Sequence, residues 1–160
     1  MKKLLILGAG TAGTMMVNHL NRKLNKNEWK ITVVDQHKTH YYQPGFLFIP
    51  FDTYTEKDVI KTKKQFIPKS VEYIEKAIEV IEHDKNNVVL KDGTNLSYDI
   101  LIIATGSKIV PDEVDGLADE GWHKNVFDFY TIEGATALRG KLKTWEGGKF
   151  IVHLTEMPIK

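Results

Sequence analysis

The chain opens on a compact apolar run, Leu4-Leu5-Ile6-Leu7, which predicts a strand over 3–7. The period then changes. Ala12, Met16, Leu20 and Leu24, with Val17 beside them, fall at helical spacing and predict an amphipathic helix. A polar connection over 25–30 feeds a second strand, Ile31-Thr32-Val33-Val34. From His37 to Phe51 no period is clear. That stretch is rich in aromatics (Tyr41, Tyr42, Phe46, Phe48, Phe51) and is broken by Pro44-Gly45 and Pro50. Thr55 to Asp58 has the pattern of an N-cap with an acid at the third helical position, opening a modest helix through Val59, Ile60 and Phe66 that Pro68 stops. A short strand is expected over 70–73. Alternating runs at 76–82, 88–90 and 96–98, separated by turn signals at 84–87 and 91–94, predict a three-stranded β-meander. Ile100 to Ile103 is continuously apolar, as expected of a strand buried on both faces of a parallel sheet. A last helix is predicted over 131–145, with Ile132, Ala135, Leu138, Leu142 and Trp145 on one stripe. Gly147-Gly148 ends it, and a strand is expected over Lys149–His153.

The connection between the first strand and helix carries chemistry. It reads Gly8-Ala9-Gly10-Thr11-Ala12-Gly13, and the second strand ends in Asp35. Three glycines at this spacing after a strand, with a carboxylate at the tip of the next one, form the fingerprint of a dinucleotide-binding βαβ unit. Gly8 allows the tight turn, Gly10 lets a pyrophosphate approach the backbone, and Gly13 lets the helix pack closely. The free N–H groups of the helix start then meet the anion. Asp35 is expected to accept hydrogen bonds from ribose hydroxyls. An acid there argues for FAD or NAD over a nucleotide with a 2′-phosphate.

Composition narrows the class. The 160 residues suffice for one α/β domain with a real core. A net charge of +1 gives a nucleic-acid partner no electrostatic support. There are no cysteines, which excludes disulfides and thiolate metal sites in this stretch. No apolar run is long enough to span a membrane, and the start lacks the core and cleavage site of a signal peptide. His37 and His40 have a ligand-like spacing, but no further ligand completes a metal set. Lys61 to Lys64 reads as a solvated helix face, and Trp122 with His123 as loop packing.

A dinucleotide unit with a meander insertion, closed by a Tyr98-Asp99-apolar strand and Ala104-Thr105-Gly106, resembles the FAD domain of two-dinucleotide-domain flavoprotein reductases. The segment Tyr41-Tyr42-Gln43-Pro44-Gly45 and the tail Val152-His153-Leu154-Thr155-Glu156-Met157-Pro158 resemble, more narrowly, the sulfide:quinone oxidoreductase family. That resemblance implies an α/β, Rossmann-like FAD-binding domain over 1–110, followed by a linker and the incomplete start of a second domain over 111–160. It implies FAD as cofactor, with Ala104, Thr105 and Gly106 against its pyrophosphate and ribityl chain, the Ile78 backbone against adenine, and Gln43 and Pro44 near the flavin ring. Thr11 and Ala12 between the glycines, and Gln36 beside the acid, belong to the same cofactor-binding set.

Where pyridine-nucleotide reductases carry a second glycine fingerprint, this chain has Leu154 to Pro158, so an electron donor other than a nicotinamide is expected. Sulfide and a quinone are the partners that the resemblance implies for a full-length parent. The family's redox cysteines are missing, so the chain is read as an N-terminal portion, inactive by itself and without catalytic residues of its own, that can self-associate through an exposed apolar patch. It is expected in the cytoplasm, with the parent peripheral on the membrane. The rival readings are a portion of a type II NADH:quinone dehydrogenase and a non-catalytic dinucleotide-binding module.

Overall fold

The structure is a computed structural model, and it describes residues 1–153. In chain order its elements are strand β1 (Lys2–Leu7), helix α1 (Thr11–Lys23), strands β2 (Trp29–Val34) and β3 (Thr39–Tyr41), a run of 3-10 helix over Gln43–Phe51, the one-turn helix α2 (Glu56–Val59) and strand β4 (Ile60–Thr62). A second 3-10 turn, Lys63–Phe66, precedes β5 (Glu72–Ile74), β6 (Ile78–Glu82), β7 (Asn87–Leu90), β8 (Asn95–Ser97) and β9 (Ile100–Ile103); helix α3 (Ile132–Thr144) comes last.

Four parallel strands form the main sheet in the order β5-β2-β1-β9. Its centre is β1, whose alternate residues face two different layers. Leu4 and Ile6 pack with Val17 of α1 and with Ile31 and Val33. Leu5 and Leu7 pack with Val34 and with Val88 and Leu90 of the meander. The predicted meander, β6-β7-β8, is thus the second cover of the sheet, in the place a crossover helix takes in a plain doubly wound fold. Each fully buried aliphatic here stabilises the fold by about 1.5–3 kcal/mol.

A third cluster lies apart from the sheet. Phe46, Ile49 and Val59 pack against Ala135, with Ile132 beside them, so α3 docks onto the 3-10 run rather than standing alone. Gly45 lets Val59 pack against the 3-10 run, since a Cβ there would come within 2.5 Å of Val59 Cγ1. Arg139 of α3 closes the edge with a fork onto Glu56 at 2.5 and 3.2 Å, and Lys143 reaches Asp52 at 3.0 Å.

Four sequence expectations change. The helix expected from Thr55 onward stops after one turn. Its capping box forms, with Asp58 Oδ2 accepting from Thr55 N at 2.8 Å, but Ile60 and Thr62, good strand formers, pair with β3 instead. Lysines 61–64 are therefore no solvated helix face, and Lys63 is buried. Strand β9 is not buried on both faces. It borders the four-stranded sheet, and Ile100 and Ile103 are exposed. No strand forms over 149–153. Phe150, Ile151 and Val152 are exposed, and among the described residues no neighbouring strand offers them a ladder. The Leu154–Pro158 segment lies outside the described residues.

Candidate functional site

The C-terminal ends of β1, β2 and β9 converge on the turn before α1. Gly8 N–H donates to Val34 O at 2.7 Å, and Ala104 N–H donates to Leu7 O at 2.7 Å. Gly8 has φ +94°, and a Cβ on it would collide with the Ala104 carbonyl. A Cβ on Gly13 would collide with the Gly8 carbonyl, so this glycine sets how closely α1 meets the turn. Gly10 differs from both, because nothing lies within 4 Å of where its Cβ would be. It is the N-cap of α1, no side chain caps that helix, and its first turn holds no acid. Thr11 and Ala12 are exposed beside it. The result is an open stretch of backbone where the N–H groups of the first helical turn have no intrahelical partner. Thr105 and Gly106, the latter at φ +78°, leave β9 on the exposed side of the same edge.

Asp35 stands at the tip of β2 with its carboxylate almost wholly committed. Oδ2 accepts from Ala9 N–H at 2.7 Å, and Oδ1 accepts from His37 N–H at 2.8 Å. Lys63 Nζ lies 2.6 Å from Oδ2, and both side chains are about nine-tenths buried. Burial by itself pushes the carboxyl up, but the Lys63 ammonium and the two backbone donors outweigh it and hold Asp35 below its ordinary value. Tyr73 of β5 is pushed up to about 12 by burial and then by the charges of Asp35 and Glu75. Gln36, next to Asp35, is exposed. Ile78 opens the meander opposite Leu90, half-buried against the Leu5–Leu7 face.

Gln43 and Pro44 begin the 3-10 run and are exposed. Gln43 Nε2 donates to Tyr130 O at 3.3 Å, and the Tyr130 hydroxyl is 3.2 Å from Ser107 Oγ. The Gln-Pro segment is thereby tied to the loop that follows Ala104-Thr105-Gly106. Ser107 first, then Gln43, lowers the Tyr130 phenol from its ordinary value.

The family model described as pyridine nucleotide-disulphide oxidoreductase matches residues 2–152, nearly the whole chain. The chain belongs to that family.

Among curated proteins, the mitochondrial sulfide:quinone oxidoreductase of Dictyostelium discoideum is 29% identical over 150 residues, covering 94% of this chain and 33% of that protein. A type II NADH:quinone oxidoreductase of Staphylococcus haemolyticus is 29% identical over 119 residues, covering 74% of this chain and 29% of that protein. Among solved structures, the sulfide:quinone oxidoreductase of Aquifex aeolicus aligns with TM-score 0.71 at 25% identity, over 89% of this chain and 32% of that one. The chain spans about a third of the length of the relatives it matches. This member of the pyridine nucleotide-disulphide oxidoreductase family has the α/β fold with a parallel sheet and a three-stranded meander expected from its sequence, and the parallel sheet has four strands.

Two residues of the site escape the sequence reading. Lys63 sits in what looks like a charge run, and the β-branched pattern Val59-Ile60-x-Thr62 is the signal that could have marked a strand leading to it. Tyr130 carries no local signal, for its partners are 87 and 23 residues away.

Proposed function

We propose that the chain is the FAD-binding part of a sulfide:quinone oxidoreductase-like flavoprotein. The open backbone at Gly10, with Asp35 at the neighbouring strand tip, carries the FAD-binding part of this reading, and the likeness to sulfide:quinone oxidoreductases over nearly the whole chain supports the rest. The residues fit an adenine dinucleotide. Gly10 leaves the space for a pyrophosphate, the N–H groups of Thr11, Ala12 and Gly13 face it, and Asp35 retains an acceptor position for the sugar. In the same reading Ala104, Thr105 and Gly106 run beside the cofactor, Gln36 flanks the ribose, the Ile78 backbone meets adenine, and Gln43 and Pro44, held through Tyr130, border the flavin end. When bound, FAD supplies the two-electron redox chemistry. This chain's own residues bind and orient it, and sulfide and a quinone act through the whole protein.

Type II NADH:quinone oxidoreductase is the second reading, favoured by a relative of equal identity over a shorter stretch. Adding sulfide or NADH to the full-length protein under anaerobic conditions separates the two: sulfide bleaches the flavin in the first reading, NADH in the second. The cradle itself is tested in the 160-residue chain. Gly10→Val fills the open space and is expected to weaken FAD binding by about 100-fold, ~2.7 kcal/mol, without changing the fold. A variant that keeps FAD as tightly as the wild type overturns the cofactor assignment.

A further inference from the structure

The ion pair at the strand tip goes beyond the glycine fingerprint. The two-stranded sheet of β3 and β4 brings it about: Thr39 pairs with Thr62, and Lys63 N–H donates to Lys38 O at 2.8 Å. This pins the 3-10 turn that starts at Lys63 against the connection leaving β2, and the side chain enters beside Asp35. A lysine held that deep is uncommon, because removing an ammonium from water costs several kcal/mol unless it is well paired.

The donor and acceptor count is uneven. A carboxylate offers about four acceptor positions and an ammonium three donors. On Asp35, Oδ2 serves Ala9 N–H and Lys63, while Oδ1 serves only His37 N–H. One acceptor position on Oδ1 stays open. On Lys63, Asp35 is the partner found among the described residues, so two donors of a nearly buried ammonium stay open beside it. An open acceptor next to open donors matches a vicinal diol, in which one hydroxyl donates and its neighbour accepts.

We propose that Lys63 is a specificity-determining residue of the ribose subsite, donating to one hydroxyl of an adenosine ribose while Asp35 accepts from the other. The proposal rests on the reading of Gly10 as the pyrophosphate cradle, since that cradle places the sugar at the tip of β2. Two consequences follow. The pair recognises a ribose as a net-neutral unit, not as a lone carboxylate. A flavin without an adenosine half gains nothing from it.

FAD and FMN are the probes, titrated by flavin fluorescence into the wild-type chain, Lys63→Met, Lys63→Arg and Gly10→Val. Lys63→Met is expected to weaken FAD at least about tenfold while FMN changes by less than about twofold; Lys63→Arg is expected to restore most of the FAD affinity. FAD affinity in Lys63→Met within about twofold of wild type overturns the role of Lys63, and if Gly10→Val still loses FAD, the cradle stands without it. A wild-type chain that binds neither flavin overturns both. Should Lys63→Met fail to fold, the nitrogen resonance of the Lys63 ammonium in the wild type decides. Saturating FAD, but not FMN, is expected to shift it, and an unmoved resonance with FAD bound overturns the proposal.

Discussion

The glycine turn after β1 and the 3-10 run over Gln43–Phe51, which the proposed reading assigns to opposite ends of one cofactor, are held in place by different physics. The turn is built from backbone. Gly8, Gly13 and Ala104 touch main chain to main chain, and adjacent parallel strands fix them with hydrogen bonds of 2.7 Å. The 3-10 run is built from side chains. Phe46 and Ile49 are its anchors, Val59 lies beneath, and α3 closes over it from nearly ninety positions further along the chain. The first kind of construction is local and intolerant of any added atom. The second is non-local and tolerates change at the cost of packing free energy.

The difference is greatest inside the turn itself. Gly8→Val adds a branched side chain at φ +94° and drives its Cβ into the Ala104 carbonyl, so a loss of about 4 kcal/mol or more, or failure to fold, is expected. Gly10→Val, two residues on, meets open space at φ −73° and is expected to cost under about 1 kcal/mol. Urea denaturation of the two variants measures the contrast. Equal losses would mean that the turn is not held as tightly against β9 as its geometry requires.

In the second region Ile49→Ala removes a fully buried side chain from the cluster beneath α3. A loss of about 2–5 kcal/mol is expected, as for other large-to-small core changes. Its distribution sharpens the comparison. Amide exchange is expected to quicken in α3 and in the 3-10 run while β1 and β2 keep their protection, because these elements share no side-chain cluster with Ile49. Uniform acceleration through β1 would show one cooperative unit where the packing indicates two.

The same contrast explains what the sequence made legible. The glycines, Asp35, the meander and both long helices are visible because each is specified by a local signal: period, turn chemistry or a strand tip. The capping box at Thr55 was visible too, but not the length of its helix. There the local preference of Ile60 and Thr62 for a strand had to be met by β3, whose three residues have no period of their own. Lys63 was hidden for the same reason. A lysine among lysines reads as surface, and only the β3–β4 pairing turns it inward. Arg139 depends on a partner 83 residues away, and Tyr130 on partners 87 and 23 residues away, which no local pattern encodes. The strand expected at 149–153 shows the reverse case, an apolar run with strand-forming residues and no partner beside it among the described residues.

The smallest effect is a pH dependence, and its sign follows from the buried pair. Asp35 lies below its ordinary value of 3.8 in the folded chain, while in the unfolded chain it is expected near that value. Between the two, the unfolded chain binds a proton that the folded chain does not, so stability rises with pH there. The contribution of Asp35 is complete above about pH 3.8 and is lost as pH falls through the folded value. Exposed carboxylates share this window; Asp92, held at about 2 chiefly by Lys76, titrates there too, so the wild-type slope alone does not isolate Asp35. Asp35→Asn does. It leaves the exposed groups intact and removes one titrating site, so its urea midpoint is expected to fall less steeply than the wild type's as pH drops from 5 to 3, although the variant is less stable throughout because Lys63 is left buried without its counter-ion. Parallel slopes in the two proteins would mean that Asp35 ionises alike in both states. Lys63 would then not hold the carboxylate as the 2.6 Å contact implies, and the glycine turn would lose the electrostatic tie that joins it to the 3-10 turn after β4.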